Sequence, residues 1–298
     1  LGPGTAGPPT RAGGGTAAGL APGPAGIFIK VLATANDATL GTGTAGTSIL
    51  VQGGNKATAT TANAGTTLDV LAGTGDAVLT TGKSGTTTLV KSTGGNATVV
   101  DATSTASSIT VDGNKLATIS GTISAKTAYT VTGGTGVVLG DGTARTQSAG
   151  GTVTITATTG NVTQGSGLLT LQSDNDGTGG DALNVKALAG SVTLGNSLLS
   201  GGTISGTTYG NTSDVLVDGK VNATVTEARG LNVTVNAAGG DATVTTAGAA
   251  QAIAVTATND ASLGTGTAGT SCPVHGGHHA GLGPPGPGRN GPRPRPGR

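Results

Sequence analysis

All twelve prolines of this 298-residue chain lie in its two ends, and residues 25–272 contain none. Proline cannot donate a hydrogen bond to a β-ladder, so it is confined to edges, bends and unpaired chain. The long proline-free interior is built largely from Thr, Val, Ala and Gly, which suits a backbone paired on both sides along most of its length. The proline-bearing ends read as separate segments: a Gly/Pro-rich, disordered residues 1–26 and a disordered Pro/Gly/Arg/His tail over residues 272–298.

Composition narrows the possibilities further. Aromatic residues make up 1% of the chain, as Phe28, Tyr129 and Tyr209, and Trp and Met are absent. A globular core of this size normally buries many large side chains. Here the apolar supply is Val, Ile, Leu and Ala, which suits a thin, regular core. Glycine is abundant at 58 residues, but mean hydropathy is +0.07 and net charge only +1. Disordered chains combine low hydrophobicity with high net charge, so the interior reads as folded. A net charge this small, with only 10% of residues charged, also argues against the concentrated basic footprint that a nucleic-acid partner requires. No apolar run is long enough to cross a membrane as a helix, so no transmembrane segment is expected. Residues Ile27–Ala35 read as a β-strand rather than a signal-peptide core, because Lys30 interrupts them. The single cysteine, Cys272, leaves no internal disulfide. A start at Leu1 with no methionine anywhere reads as a fragment or partial reading frame, and the change of character after Ser271 is what an out-of-frame tail would give.

The interior repeats itself. A turn of Gly, Asn or Asp, then Ala, then a short β-rich stretch recurs at Asn36–Leu40, Gly75–Leu79, Gly95–Val99, Val221–Val225, Gly240–Val244 and Asn259–Leu263. Aligned on the residue before that Ala, the units begin at Asp37, Lys56, Asp76 and Asn96, and later at Asn222, Asp241 and Asp260. The step is about 19–20 residues, in the range of solenoid repeats, and the phase is looser between Lys115 and Lys220. Each unit holds a second strand, and Thr152–Thr158 shows the alternation: Val153, Ile155 and Ala157 on one face, threonines on the other. So short a unit cannot bury its apolar face alone, but stacked units can. The expected fold is all-β, a parallel β-helix, right-handed, with about 19–20 residues per coil over residues 27–271. That is about 12 coils and a rod about 60 Å long. The segment Asn36–Ser48 also returns at Asn259–Ser271 with the single change of Thr39 to Ser262.

These features resemble the β-helical shafts of filamentous haemagglutinin-like exoproteins and related autotransporter passengers: the 19-residue-class unit, the Gly-Asn/Asp-Ala-Thr-Val phrases and the Thr/Gly/Ala/Val composition. The resemblance covers residues 27–271. It implies a structural shaft segment of a secreted bacterial surface adhesin, serving cell adhesion, biofilm formation or aggregation. The implied partners are a host-cell or surface glycan or protein receptor, with self-association through open coil ends. The alternatives are a β-helical polysaccharide-degrading module, or an ice- or calcium-binding solenoid.

Single motifs carry less. Gly41–Gly46 and Gly264–Gly269 both fit G-x-G-x-x-G, but strand rather than helix follows, so no dinucleotide site is expected. Ala77–Ser84 imitates a phosphate-binding loop, again with β-rich sequence after it. Asp174, Asp176 and Asp181 on a Gly-rich stretch form the one calcium candidate, because calcium seeks several oxygen ligands. Cys272, His275, His278 and His279 resemble a metal cluster, but they fall in the tail. Thr-x-Thr runs at Thr86–Thr88, Thr152–Thr158 and Thr243–Thr245 would suit an ice face if they kept phase over adjacent coils. The interior holds no His, and Glu227 is the only Glu, so a nucleophile–base pair is hard to assemble. The expectation is a non-enzyme without cofactor, catalytic site or resident metal.

Overall fold

Each coil of the chain folds into strands that lie in register on the coil before. The computed structural model describes residues 10–14, 17–20, 23–24, 26–140, 145–165, 167–205 and 208–283. Among these there is no helix, and the strands form a parallel β-solenoid of about 12 turns. One sheet of 13 strands runs the length of the stack and forms the first face. Phe28–Ala33, Ser48–Gly53, Thr67–Ala72 and Thr87–Ser92 are successive members. A second set of strands, such as Asp37–Ala45 and Ala57–Ala64, returns on the other side.

The second set bends midway. In Ala57–Ala64 the buried residues are Ala57 and Ala59, then Ala62 and Ala64, with Thr60 and Thr61 both turned outward. Two outward residues in a row break the period of two, so the strand turns a corner there and supplies two faces. The section through the solenoid is therefore three-sided. Its interior is a ladder of small and aliphatic residues: Ile29, Val31 and Ala33 from the first face, Ala38 and Leu40 from the second, Gly43 and Ala45 from the third. Such narrow coils have room for few large side chains, which explains the scarcity of aromatics. Tyr129 is the largest fully buried residue, and its hydroxyl donates to Gln147 Oε1 at 3.0 Å.

Corners carry the recurring Asn, Asp and Thr. Where the chain enters the second face, several coils have a backbone N–H that points along the stack without a ladder acceptor. A side chain in the coil below accepts it. Asp76 Oδ1 takes Asn96 N at 2.8 Å, Asn96 Oδ1 takes Leu116 N at 3.1 Å, and Asn222 Oδ1 takes Asp241 N at 2.9 Å. These are the aligned positions of the sequence repeat, so the repeat records a hydrogen-bond ladder. At the corner into the first face, Thr66 Oγ1 donates to Thr47 O and Thr86 Oγ1 to Thr66 O, both at 3.0 Å. Asn96→Ala should leave the part-buried Leu116 N–H without its acceptor and cost about 1–2 kcal/mol. A urea titration would show it, and an unchanged midpoint would remove the energetic role assigned to the corner ladder.

Phase is not lost between Lys115 and Lys220. Tyr129 pairs with Val153, Val153 with Leu183 and Leu183 with Val215, so the offset from one coil to the next grows to 24, 30 and 32 (153 − 129, 183 − 153, 215 − 183). The additional residues leave at corners, as Asp174–Asp181 and Gly202–Thr212, while the first-face strands stay in register. The segment Gly202–Thr212 carries an antiparallel pair, Ile204–Ser205 with Thr208–Tyr209.

Strands run past both boundaries expected for the folded part, which corrects them. Thr10–Gly14 pairs with Ile29–Ala33, within the segment expected to be disordered over 1–26. Beyond Ser271, Val274–Gly276 pairs with Val255–Ala257 and His279–Leu282 with Asp260–Leu263. The tail stacks Val274 on Val255 and Leu282 on Leu263, with Leu282 left half-exposed at the end of the stack. Pro273 lacks an N–H but its carbonyl accepts from Val255 N at 3.1 Å. Most of the remaining disorder expected at the ends falls on residues 1–9 and 284–298, outside the described residues.

Candidate functional site

The elongated coils bring the calcium candidate to one corner. Asp174 is fully buried and sits at φ 51°, in the left-handed region that Asp tolerates better than most residues. Gly177, Gly179 and Gly180 also have positive φ, at 75°, 80° and 85°, which accounts for the glycines of this loop. Asp174 Oδ2 accepts Gly179 N at 3.1 Å and Ser213 Oγ at 3.2 Å, and also accepts Thr212 Oγ1. Its Oδ1 is buried without a hydrogen-bond partner.

Asp176 reaches the other way. Lys126 Nζ donates to it at 3.1 Å, and Thr178 donates through both its hydroxyl and its backbone N–H. The Lys126 hydrogen bond first, and those from Thr178 next, hold its carboxyl below the usual carboxylate range. Asp181 Oδ1 accepts Thr152 Oγ1 at 3.4 Å, and Asp181 N donates to Ser213 Oγ at 3.2 Å. So Asp174 ties its loop to the coil above, while the carboxylates of Asp176 and Asp181 tie it to coils below. Among the described residues no three His, Cys, Asp or Glu side chains are grouped to hold a metal ion. The arrangement acts as a set of staples between coils of unequal length.

The tail candidates are likewise separated. Cys272 packs partly against the core, and burial pushes its thiol up from the ordinary value. A thiol held protonated is a poor metal ligand and nucleophile. His275 lies on the outward side of its strand beside Thr256, while His279 lies across a corner beside Asp260. Cys272, just before the strand Val274–Gly276, packs against the core, while His275 is exposed on the strand's outward side.

Glycine spacings that imitate nucleotide motifs have packing causes. Gly43 faces inward, where a Cβ would come within 2.7 Å of Ile29 Cδ1, and Gly266 repeats this against Leu263. Ala77–Ser84 is one strand. Its Gly82 would meet Leu79 and Leu68 with any Cβ, Lys83 points outward, and buried Ser84 accepts Thr88 Oγ1 at 2.9 Å.

Two outward arrangements escape any reading of single motifs. One is a column on the second face: Thr39, Thr58, Val78, Thr98, Thr118, Val138, Thr163, Thr193, Thr224 and Thr243, each paired with the next. It holds phase through the elongated coils. The three expected Thr-x-Thr runs contribute unevenly to flat faces, since Thr88 is buried and Thr86 bonds along a corner. The other is on the first face, where outward Lys30, Leu50, Asp69 and Leu89 form one column. Asp69 sits between the two leucines, half-buried, and desolvation raises its pKa above the ordinary value.

A raised carboxylate pKa means that the folded state binds the proton more tightly than the unfolded state. The penalty is therefore complete above the folded pKa, fades as pH falls through it, and is gone below the unfolded value. In dilute protein, Asp69→Asn should raise the melting temperature at neutral pH and lose that advantage in acid. Melting curves of both proteins at several pH values would test this. An equal gain at every pH would show that charge burial is not the cause.

Comparison with protein-family models, curated proteins and solved structures found no match to this chain. Fold and site together define its class as a parallel β-solenoid protein with a three-sided core.

Proposed function

We propose that the chain is a structural shaft segment of a secreted bacterial surface adhesin, acting in cell adhesion, biofilm formation or aggregation. The observation carrying this reading is the in-register parallel stack of about 12 turns, which absorbs the elongated coils without breaking its first face. A rigid rod about 60 Å long with Thr-rich outer faces serves to hold something away from a surface and to make many weak contacts. Its partners in this reading are a host-cell or surface glycan or protein receptor and, through open coil ends, other copies of the chain. Display of the chain on a non-adherent bacterium is the test. Adhesion to cells, or aggregation, above an empty display scaffold supports the proposal. Equal behaviour at equal display level would overturn it.

A second reading follows from the outward column on the second face. Thr and Val share that column at about 4.8 Å spacing, presenting hydroxyls and methyls in phase from Thr39 to Thr243. Such a rank could order water at an ice surface. Thermal hysteresis that vanishes on replacing Thr98 and Thr118 with lysine would favour this reading over the shaft. Freezing without hysteresis would dismiss it.

A further inference from the structure

We propose that the first face of the N-terminal coils binds a second copy of the same chain, about a two-fold axis lying between the facing sheets and along the strand Ser48–Gly53. Three outward columns cross three successive coils there. Phe28, Ser48 and Thr67 make one, and the two others carry an aliphatic, charged patch. One of these is Lys30, Leu50 and Asp69, and the other is Leu32, Gln52 and Leu71. At the corresponding outward positions further along, the face carries Thr130 and Thr132, then Thr154 and Thr156. Leu89 and Lys91 extend the patch into a fourth coil. Aliphatic or charged residues return further on at Lys186, Leu216 and Asp218, so it is the concentration of leucines in the first coils that calls for a cover. A groove of about 370 Å³ runs along the edge of the patch, lined by Leu32, Gln52, Leu71 and Lys91 among others.

The order of residues makes this patch complementary to itself. A two-fold axis along the middle strand leaves each column in place and exchanges the first coil with the third. Lys30 of one copy then faces Asp69 of the other, and the converse pair forms too. Leu32 faces Leu71, Leu50 faces Leu50, and Gln52 faces Gln52. These four pairings are apolar on apolar, amide on amide or cation on carboxylate, as an isologous interface demands. The third outward column sets Phe28 against Thr67 and Ser48 against Ser48. Within one chain Lys30 and Asp69 stand two coils apart, about 9.6 Å along the stack. Neither takes part in an ion pair among the described residues. Asp69 is half-buried between Leu50 and Leu89, which raises its pKa in the free chain. Lys30 of the second copy would supply the missing counter-charge.

Three coils by one strand length cover about 300 Å² per copy. Stable dimers bury about 800 Å² per partner, so the contact is reversible and forms at high local concentration, as between rods projecting from two facing surfaces. It differs from association through open coil ends, because it joins rods side by side and antiparallel.

The test uses the full chain with Cys272→Ser. Leu50→Cys places a thiol on the axis, and Thr130→Cys places one on the same face but beyond the overlap. With a short bismaleimide at ~0.1 mM protein, Leu50→Cys should crosslink at least tenfold faster. Equal rates would overturn the proposal. Lys30→Asp should slow crosslinking of the Leu50→Cys protein by a similar factor, and adding Asp69→Lys should restore it. Circular dichroism confirms that each variant folds, which these outward positions allow. Failure of the charge swap to restore crosslinking in folded protein would also sink the two-fold arrangement.

Discussion

Tyr129→Ala should lower stability by about 4 kcal/mol, within the range for removing a buried aromatic side chain. Tyr129 is fully buried and is the largest such residue in the solenoid. Its neighbours along the stack are Ile109 in the coil before and Val153 in the coil after. Parallel ladders hold these coils at fixed spacing, so the core cannot collapse into the cavity. The hydroxyl matters separately. It donates to Gln147 Oε1, while Gln147 Nε2 is already buried without a partner. Tyr129→Phe should therefore cost about 1–2 kcal/mol, since both polar atoms of Gln147 become orphaned. Burial also pushes the phenol well above its ordinary pKa, so this tyrosine resists ionisation in alkali while the fold holds. The coil it occupies joins the regular coils to the elongated ones. Because solenoid coils contact only their neighbours, the alanine variant should melt in two steps. Urea unfolding with hydrogen exchange would read both, and a single unshifted transition would refute this account of the core.

The second large effect is expected from a methyl group at a corner. Gly46, Gly65 and Gly85 succeed one another where the chain passes from the third face to the first. A Cβ on Gly85 would overlap Gly65 O, and one on Gly65 would overlap Gly46 O. The obstructing atoms are backbone, and the backbone there is held by Gly85 N donating to Ala64 O at 3.1 Å. Gly85→Ala must therefore push neighbouring coils apart and should cost about 3 kcal/mol or more. Gly195 provides the control. Nothing lies within 4 Å of the position its Cβ would take, so Gly195→Ala should change stability by about 0.5 kcal/mol or less. Equal melting of the two variants would show that corner spacing does not limit side-chain size.

Much of this fold is legible in the order of residues. The Asn/Asp-Ala phrase announces each coil because it has two duties at one place. Its Ala turns inward, and its Asn or Asp accepts the next coil's orphan N–H, as with Asp76 and Asn96. The regular step between phrases follows directly from that stacking. Where coils lengthen, the phrase disappears from regular spacing, yet Val153 with Ile155, Leu183 with Val185 and Val215 with Val217 still fill the core. Those pairs lie in sequence too, but nothing local says that the residues between them leave at a corner.

The candidate sites separate in the same way. A Gly-rich acidic stretch at Asp174–Asp181 is visible in the residues, and so is a cysteine with three histidines. That Asp174, Asp176 and Asp181 reach to different coils, and that Cys272 turns away from His275, depends on which residues stacking places side by side. The strands Val274–Gly276 and His279–Leu282 show the converse. Proline content argued against them, but an existing coil offers a template, and Val274 and Leu282, one in each strand, stack on Val255 and Leu263 of that coil.

Composition and periodicity determined the architecture by themselves: a strand period of two, a coil period near twenty, small inward residues and no interior proline admit little besides a stacked parallel solenoid. Only the tertiary structure decided which outward residues meet. Neighbours on a face are one coil apart in the chain, and the coil is short from Val215 to Val233 but long from Leu183 to Val215. A column such as Lys30, Leu50 and Asp69 therefore exists only once register is set, because the backbone ladder, not proximity in sequence, brings its members together.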